Sequence, residues 1–516
     1  MDSHHDASLI GTDGLIAILT IKNLLRLLGL WVVYRLALAL YNISPFHPLY
    51  RFPGPRLAAA SFIYEFWFDF VLLGRYSHEI KRIHDIYGPI VRINPEELHC
   101  NDPDFTEEIY PTTGRVRDKQ QHYLNTVAGP LSQSSFATID HETHRIRRSA
   151  VNRFFSRAQM LKLESEVHEF AQLLCDKLLH SNKAPIPMIE AYNCFTADTI
   201  SQYAYGRPLG FLAQEDWLPN FKAAFDSFTS SSYFFRFFPP ARNLVHLAPY
   251  LAKYGPAEVK LLMTEMTETI PGHIIRVAKD RGHGRIFSDL LDSSLPEEEK
   301  SIYRLSGEGF SLMAAGTETT ATALTAITYY LLAAPEVAAR LRQDLKDVDP
   351  KKLSWTTLEK YPYLWAVINE GLRLTYGLSP RSPRIARDED LVYRKGQYQY
   401  IIPRGYAIGM SSVINHHNEE IFPDSEEYIP ERWLDVNGQK KHGMEKYLMS
   451  FSKGSRQCLG MNLALCELYL VTAAVTLRVL PHMKLYKTTI DDVKYDHDLV
   501  TYQTKKGSKG IRVTIL

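Results

Sequence analysis

Apolar residues dominate the chain from Gly14 to Leu40, a run of mainly leucine, isoleucine, valine and alanine that Lys22, Arg26 and Arg35 interrupt. About 20 mostly apolar residues suffice for a helix to cross a bilayer. The pattern therefore predicts a membrane anchor over residues 14–40, preceded by a tail over residues 1–13. The basic residues leave open a tilted or partly interfacial helix, whose charged side chains extend to the lipid headgroups.

A cleaved signal peptide is the other alternative for this run, because Ala37-Leu38-Ala39 fits a small-x-small cleavage site. Such a peptide has a shorter apolar core than the run has. The five cysteines are odd in number and scattered, which indicates a reducing compartment and not a disulfide framework. The anchor is therefore the preferred interpretation.

A proline-rich stretch over residues 41–56 follows and ends in Phe52-Pro53-Gly54-Pro55-Arg56. Proline fixes its own backbone and disfavours helix at the residue before it, so we expect a stiff hinge here. No Gly/Ser-rich or long Pro-rich linker divides the remaining sequence. Residues 57–516 are therefore predicted to form one large globular unit.

Hydrophobic periodicity divides this unit into strands and helices. Alternating apolar and polar residues predict strands within residues 87–100 and 391–402, with sheet continuing over residues 405–415. Apolar residues at helical spacing predict a long helix from about Ser306 to Ala333 and another helix after Gly460.

The aromatic segment from Ser232 to Pro240 breaks this periodicity and contains two prolines, which favours a loop. It is either a core segment or an exposed apolar lip beside the membrane.

The formal net charge of +1 argues against a nucleic-acid partner, which would require a strong basic excess. Basic residues nevertheless gather in two places and are predicted to form a face that attracts an acidic protein. They are Arg147, Arg148, Arg153, Arg157, Lys440, Lys441, Lys446 and Lys453.

The segment from Phe451 to Gly460 isolates a single cysteine, Cys458, between Gly454 and Gly460. Glycine permits close approach of the backbone to a flat ligand, and the N-terminus of the following helix favours a thiolate. Arg456 is a cation that can bind an acidic group of a cofactor.

A buried, inert thiol is the common alternative for an isolated cysteine. Zinc sites use several ligands, often as Cys-x-x-Cys pairs, and none of the other cysteines forms such a pair with Cys458. A single thiolate suits haem, where the porphyrin supplies the other ligands.

The segment matches Phe-x-x-Gly-x-Arg-x-Cys-x-Gly, the haem-binding signature of the cytochrome P-450 superfamily, at every defined position. The resemblance covers nearly the whole chain from about Phe52 and includes short segments similar to those of filamentous-fungal enzymes of secondary metabolism. It implies a mainly α fold with a smaller β region, the cytochrome P-450 fold, preceded by an N-terminal membrane-anchor helix. It also implies haem b as cofactor, with Cys458 as the axial ligand of the iron.

The resemblance implies further haem contacts. In the family a Trp-x-x-x-Arg element holds a haem propionate, and this sequence has His141 and Arg145 at the corresponding place. Arg384 fits a second propionate contact. The full set of implied cofactor-binding residues is Cys458, Arg456, Arg145, His141, Arg384, Phe451 and Gly316.

Polar residues within the long apolar helix are either locally hydrogen-bonded or functional, because burying them unpaired is costly. Ala315-Gly316-Thr317-Glu318-Thr319-Thr320 matches the oxygen-activating motif of the family. The resemblance implies that Gly316 makes room for dioxygen, that Thr319 hydrogen-bonds it, and that Glu318 relays protons.

Glu370 and Arg373 lie three residues apart on one helical face. They match the Glu-x-x-Arg motif of the family, whose third member is Arg432 here. We expect these three residues to support the cysteine loop structurally.

The resemblance also places candidate substrate contacts in four regions of the chain. They are Ser135, Phe136, Met313, Ala314, Leu378, Ser379, Thr501 and Tyr502, the last two in a predicted hairpin loop over residues 499–503.

The implied activity is a monooxygenase that inserts one atom of dioxygen into a lipophilic small molecule, such as a terpenoid or another secondary-metabolite intermediate. The sequence has no Gly-x-Gly-x-x-Gly dinucleotide fingerprint, so electrons are expected from a separate NADPH-cytochrome reductase. The family places the anchor in the endoplasmic reticulum membrane and the catalytic domain in the cytosol. The alternatives are a haem-thiolate isomerase, dehydratase or peroxide-using enzyme and, more distantly, a non-catalytic haem sensor.

Overall fold

The computed structural model describes residues 21–181, 185–247, 250, 254, 256–280 and 286–516. The predicted tail over residues 1–13 and the first residues of the predicted anchor lie outside this part of the chain.

The helices of the first half are α1 (Ile21–Ile43), α2 (Arg56–Ala60), α3 (Ile63–Phe66), α4 (Tyr76–Tyr87), α5 (Thr106–Ile109), α6 (Gln121–Leu124), α7 (His141–Asn152), α8 (Arg157–Leu179), α9 (Met188–Tyr205) and α10 (Lys222–Phe237). Those of the second half are α11 (Ala257–Thr264), α12 (Ile270–Asp280), α13 (Ile286–Leu291), α14 (Ile302–Ala333), α15 (Pro335–Asp344), α16 (Trp355–Leu358), α17 (Pro362–Thr375), α18 (Ser412–His416) and α19 (Met461–Arg478).

The strands are short and form four small sheets. They are β1 (Ile90–Asn94), β2 (Glu97–Cys100), β3 (Asp118–Lys119), β4 (Ile186–Pro187), β5 (Arg384–Ile385), β6 (Leu391–Lys395), β7 (Tyr398–Ile402), β8 (Ala407–Gly409), β9 (Met483–Leu485), β10 (His497–Leu499), β11 (Thr501–Gln503) and β12 (Arg512–Ile515). The largest sheet has the order β1-β2-β8-β5-β3, and β4-β12-β9, β6-β7 and β10-β11 form the others. The predicted mainly α fold with a smaller β region is confirmed.

The long helix α14 lies at the centre of the main hydrophobic core. It packs against α9, α12, α17 and α19, and most of its side chains are buried. The Ser301 side chain caps its N-terminus by accepting a hydrogen bond from the Arg304 amide, and Pro335 starts the next helix soon after its end. Helix α14 can therefore form one wall of a site.

Within the described residues, two helices are long and apolar enough to cross a membrane by length and composition. Helix α19 has a mean hydropathy of 1.3 in its most apolar window, but 67% of that window is buried in the core. Helix α1 has a mean hydropathy of 1.6 with none of its window buried. It is therefore the candidate anchor, and its helix continues to Ile43, three residues beyond the predicted end at Leu40.

The predicted strands within residues 87–100 and 391–402 are confirmed as the β1-β2 and β6-β7 pairs, and the hairpin near the C-terminus is confirmed as β10-β11. Sheet over residues 405–415 is only partly correct. Strand β8 is followed by helix α18, whose side chains are buried.

The loop prediction for residues 232–240 is wrong for most of the segment, because α10 continues to Phe237. Prolines 239 and 240 restrict only the residues immediately before them, and the chain leaves the helix at Phe238. Ser232, Tyr233 and Arg236 are buried, whereas Phe234 and Phe238 are exposed.

Candidate active site

Cys458 lies at the end of a loop that its own backbone holds in place. The Cys458 amide donates to the Phe451 carbonyl at 2.8 Å, and the Gln457 amide donates to the Gly454 carbonyl at 2.9 Å. Gly454 has a φ of +71°, and a Cβ there would lie 2.5 Å from the Tyr110 carbonyl oxygen. This glycine is therefore needed for the passage of the loop over a neighbouring segment of protein.

The Cys458 side chain is exposed, whereas the residues on either side of it are half-buried and Arg456 is buried. The thiol is thus accessible to a ligand although the surrounding protein desolvates it, and it lies three residues before α19 begins. Burial raises the pKa of the Cys458 thiol, while a hydrogen bond from the Gly460 amide and the positive charge of Arg148 act in the opposite direction.

The predicted triad of Glu370, Arg373 and Arg432 is present as a closed network, which we call the Glu370 brace. Arg373 makes a bidentate ion pair with Glu370 at 2.8 and 2.9 Å, and both side chains are fully buried. Arg432 donates to the same carboxylate at 3.0 Å, as do the Trp433 indole N–H at 2.8 Å and the Ile429 amide at 2.9 Å. Both carboxylate oxygens are therefore satisfied by donors.

His416 joins this brace to the cysteine loop. Its Nδ1 donates to the Arg373 carbonyl at 2.7 Å, and its Nε2 accepts from the Met449 amide at 2.7 Å. Burial lowers the pKa of His416 to about 3, so the ring is neutral, as this pair of bonds requires. The Ser450 hydroxyl adds a bond of 2.8 Å to the Leu372 carbonyl. No local motif marks His416, and sequence reasoning missed it.

A second charged group near the loop consists of Lys119, Arg148, Arg384 and Arg456, which we call the cation cluster. The Arg456 guanidinium donates to backbone carbonyls at 2.7 and 2.8 Å, and its Nε is buried without a partner. Among the residues that the structure describes, none of the four forms a salt bridge with a carboxylate. Asp118 and Asp140 offset part of the charge of Arg456 from beyond salt-bridge distance. Buried cations without an ion-pair partner are costly, so the cluster calls for an anionic ligand.

The cations of this cluster depress one another's proton affinity. Burial lowers the pKa of Lys119 well below its usual range, and Arg384, Arg456 and Arg148 lower it further. The pKa of Arg456 falls to about 9 through burial and the charge of Arg384. The pKa of His144 falls to about 2 through burial and the charges of the cluster, so His144 is a neutral ring beside it.

The haem contacts of His141 and Arg145 on α7 stay predictions, and the structure gives Arg145 a different partner. The Arg145 side chain is 69% exposed and pairs with Glu142 at 2.8 Å. His141 packs beside β3, where its amide donates to Asp118 at 2.8 Å. Arg145 therefore points to solvent, whereas His141 lies close enough to His144 to lower its pKa.

The inner side of α7 carries His144 and Arg148 instead, with Arg148 donating to the Gln457 carbonyl at 2.7 Å. The sequence contains two overlapping His-x-x-x-Arg patterns, 141/145 and 144/148, and the second one faces the site. The two patterns differ in the burial of their histidines, because His144 is buried, and only the folded structure reveals this difference. Lys119 was also missed, because it joins the cluster through the pairing of β3 with β5.

The open face of α14 carries Ala315 and Thr319. Ala315 is exposed in the middle of an otherwise buried helix, and the Thr319 hydroxyl donates to its carbonyl at 2.8 Å. Gly316 faces elsewhere, because a Cβ there would lie 2.9 Å from Ile200 on α9. The glycine lets two helices pack closely, and its predicted role in making room for dioxygen stays a prediction.

Glu318 is buried on the side of α14 that faces α9 and α10. It accepts a hydrogen bond from Asn193 at 3.3 Å and lies 3.8 Å from the Lys222 ammonium. Burial raises the pKa of the Glu318 carboxyl, and Lys222 opposes that rise. The neighbouring Asp226 holds Lys222 at 2.7 Å.

The protein-family model for cytochrome P450 matches residues 54–484. The chain belongs to the cytochrome P450 family. It is 41% identical over 447 residues to the cytochrome P450 monooxygenase ppzE of Metarhizium majus, covering 81% of this chain and 92% of the relative. It is 37% identical to the conidiogenone synthase PchP450 of Penicillium rubens, covering 93% of this chain and 96% of the relative.

Tryptophan 6-hydroxylase fscE of Fusarium equiseti is 36% identical over 91% of this chain and 92% of its own length. The chain is thus a P450 oxidoreductase whose relatives are fungal monooxygenases. Their names fit secondary metabolism and do not agree on one substrate.

P450 enzymes bind haem through a cysteine thiolate. The described residues fit that group, because an accessible thiol lies beside cations that lack salt-bridge partners. The orphaned Nε of Arg456 supports the same conclusion. Haem carries two propionates, which supply the anionic charge that the cation cluster lacks.

The predicted substrate contacts are mostly buried, and no contact in the described residues joins them into one pocket. Ser135 donates from its amide and hydroxyl to Glu308 on α14 at 3.0 and 2.9 Å. The Phe136 ring lies 4.0 Å from the Lys119 ammonium. The remaining predicted contacts are placed as follows: Met313, Ala314, Ser379, Thr501 and Tyr502 are buried, and Leu378 is half-buried.

Three of the eight residues of the predicted basic face are paired with carboxylates. Arg147, Arg153 and Arg157 form ion pairs at 2.5–3.2 Å, and their partners are Glu299, Asp289 and Glu359. Arg148 belongs to the cation cluster instead.

Proposed function

We propose that this P450 binds haem b through Cys458 and inserts one atom of dioxygen into a lipophilic small molecule of fungal secondary metabolism. The observation that carries the proposal is the cluster of cations without salt bridges, in the described residues, beside the exposed Cys458 thiol. A redox-inactive or purely structural cysteine loop has no use for such a cluster. The lipophilic substrate class, with a terpenoid as one candidate, rests on the resemblance to fungal enzymes and on the apolar character of the predicted contacts.

The residues of the chain divide the work of holding the cofactor. Cys458 supplies the thiolate, and Arg148 and the Gly460 amide stabilise its negative charge. Arg384, Arg456 and Lys119 bind the propionates, which fixes the orientation of the ring. The Glu370 brace keeps the loop in place through His416 and carries no catalytic role. When bound, haem supplies the activation of dioxygen.

Proton delivery is assigned to residues of α14. The Thr319 hydroxyl already donates to the Ala315 carbonyl, so its oxygen is free to accept a proton donor. Burial raises the pKa of Glu318, which helps it to retain a proton in a dry environment. The Lys222–Asp226 pair links Glu318 toward α10. This arrangement favours oxygen chemistry over isomerisation, which needs no proton relay.

Electrons are proposed to come from a separate NADPH-dependent reductase. With Arg147, Arg153 and Arg157 paired, steering of that reductase rests on the lysines near the cysteine loop. Helix α1 is proposed to anchor the protein in the endoplasmic reticulum membrane, with the catalytic domain in the cytosol. Exposed Phe234 and Phe238 at the end of α10, with Trp67, form an apolar surface suited to contact with the same membrane.

The reaction class is tested by turnover of candidate metabolites with reductase and NADPH, with peroxide alone, and without oxygen, with mass spectrometry of the products. We expect a mass gain of one oxygen only when reductase, NADPH and oxygen are all present. Turnover that ignores both NADPH and oxygen would assign an isomerase or dehydratase, and turnover with peroxide alone a peroxide-using enzyme. Haem binding without any turnover across the panel would favour a sensor.

The cysteine assignment is tested by Cys458→Ser, with Cys466→Ser as the matched control because Cys466 is buried on α19. The reduced carbon monoxide adduct should lose its red-shifted Soret band in the first variant and keep it in the second. A second variant, Thr319→Ala, should retain haem and substrate binding but divert reducing equivalents to peroxide. Full coupling in that variant removes Thr319 from the mechanism.

A further inference from the structure

A cavity of about 530 Å³ lies between the last turns of α1 and the catalytic domain. Its other walls come from residues 60–62, the turn between β1 and β2, and the strands β5 and β8. Its volume is within the range of about 300–1,000 Å³ that small-molecule sites occupy. None of the residues assigned to the cysteine loop, the cation cluster or the proton relay lines it.

Gln120 supplies an unsatisfied amide to this cavity. Its side chain lines the cavity, is only 3% exposed, and has no hydrogen-bond partner at either Oε1 or Nε2. A buried amide without partners is costly, and most such groups in folded proteins are hydrogen-bonded. The site therefore calls for a ligand that presents both an acceptor and a donor.

Arg35 and Glu96 add one positive and one negative charge to the same cavity. Both are exposed, and neither forms an ion pair with any residue in the described part of the chain. Arg35 lies eight residues before the end of α1 at Ile43, which is roughly 12 Å along the helix axis. An arginine near the end of an apolar helix places its charge at the level of lipid headgroups.

Apolar groups complete the lining. Leu38 and Tyr41 contribute from α1, and Phe62 and Ile385 from the catalytic domain. A molecule with two opposite charges, hydrogen-bonding groups and an apolar part matches this surface, whereas a simple anion would meet Glu96.

We propose that the cavity binds one zwitterionic membrane phospholipid, with phosphatidylethanolamine as the fitting headgroup. Arg35 binds the phosphate and Glu96 the ammonium, whose N–H groups also satisfy Gln120 Oε1. Gln120 Nε2 donates to an ester or phosphate oxygen, and an acyl chain lies against Leu38 and Phe62. A lipid held there would fix the direction in which α1 leaves the catalytic domain.

The lipid would also lie on the side of the β3–β5 pair opposite the cation cluster. Successive residues of a strand point to opposite faces, and Lys119 pairs with Arg384 where β3 meets β5. Lys119 and Arg384 belong to the cation cluster, whereas the next residues, Gln120 and Ile385, line the cavity. The same strand pair therefore separates the two sites.

The test is native mass spectrometry of the full-length, haem-loaded protein in detergent, titrated with phosphatidylethanolamine or with phosphatidylglycerol of the same acyl chains. We expect one tightly held phosphatidylethanolamine per chain and weaker binding of phosphatidylglycerol. Arg35→Leu should weaken the binding about tenfold, because it removes a charge-assisted hydrogen bond. Arg26→Leu, the same change on the same helix but outside the cavity, should leave it unchanged.

Gln120→Leu is the second variant and should also weaken binding, with the carbon monoxide spectrum showing that the haem domain has folded. Equal retention in wild type and Arg35→Leu overturns the proposal. Preference for phosphatidylglycerol, or equal loss in Arg26→Leu, overturns it as well, since both outcomes indicate nonspecific attraction to basic residues. The proposal rests on the membrane anchor, which sedimentation of the protein with membranes tests separately.

Discussion

The Glu370 brace and the cation cluster are both built from buried charges near one cysteine loop, but they differ in completeness. In the brace, one carboxylate receives donors from Arg373, Arg432, Trp433 and the Ile429 amide, and both of its oxygens are hydrogen-bonded. In the cluster, cations gather without a carboxylate partner among the described residues, and Arg456 keeps an unpartnered Nε.

This difference separates scaffolding from a binding site. A closed network needs nothing further, and removing one member leaves buried charge behind. An open cluster of like charge is stable only when a ligand brings the opposite charge. Substitutions in the two regions should therefore have opposite consequences for the haem-free protein.

The largest effect is expected for Glu370→Gln, which leaves Arg373 and Arg432 without their carboxylate. Breaking a buried ion pair by removing one partner costs about 3–5 kcal/mol. We expect little folded protein and little of the carbon monoxide band. Glu431→Gln is the control, because Glu431 pairs with Arg340 at a half-exposed site, where such pairs contribute at most about 1 kcal/mol. Normal haem incorporation in Glu370→Gln would show that the brace does not support the loop.

The next effect concerns α7, where Arg148→Met and Arg145→Met form a matched pair three residues apart. Losing a hydrogen bond to a charged group costs about 1.5–3 kcal/mol, so Arg148→Met should weaken haem retention by about 10- to 100-fold. Arg145→Met should leave it unchanged, because that side chain is exposed and bound to Glu142. The measurement is the rate of haem transfer to an excess of a haem-scavenging protein. A larger loss of haem retention in Arg145→Met than in Arg148→Met would instead support His141 and Arg145 as the haem contacts.

The two overlapping patterns on α7 show what the sequence alone does not decide. The brace was predictable because Glu370 and Arg373 are neighbours on one helix and Arg432 lies within a known motif. Two histidine–arginine patterns overlap on α7, and only packing selects between them. Lys119 and His416 act through strand pairing and backbone contacts between distant segments, which leave no local pattern. Gly316 fits its motif, yet its close approach to Ile200 on another helix follows only from the fold.

A pH-dependent effect on stability is expected at His416, which joins the brace to the cysteine loop. Its folded-state pKa of about 3 lies below its usual 6.5, so its contribution to stability is complete above 6.5 and is lost as the pH falls toward 3. In this window the loss is at most about 1.4 kcal/mol per pH unit. His416→Gln keeps one donor and one acceptor but does not titrate, so its urea-unfolding free energy should fall less steeply with acid. His442→Gln, at an exposed site, should follow the wild type, and identical slopes in all three proteins would exclude the effect.

The smallest effect should also have the opposite sign, and it concerns Lys119→Met. Methionine has a similar shape and removes a buried amine, whose charged form is disfavoured by burial and by the charges of Arg384, Arg456 and Arg148. Replacing a buried ionisable group that has no ion-pair partner by an apolar group commonly stabilises a protein, so the haem-free variant should gain about 1 kcal/mol in urea unfolding. The haem-loaded variant should instead lose haem faster, because one propionate contact is gone. Lys352→Met, at an exposed site, should change neither quantity. A haem-free Lys119→Met protein that is destabilised like Glu370→Gln would mean that the cluster is compensated within the chain, and the distinction between the two regions would fail.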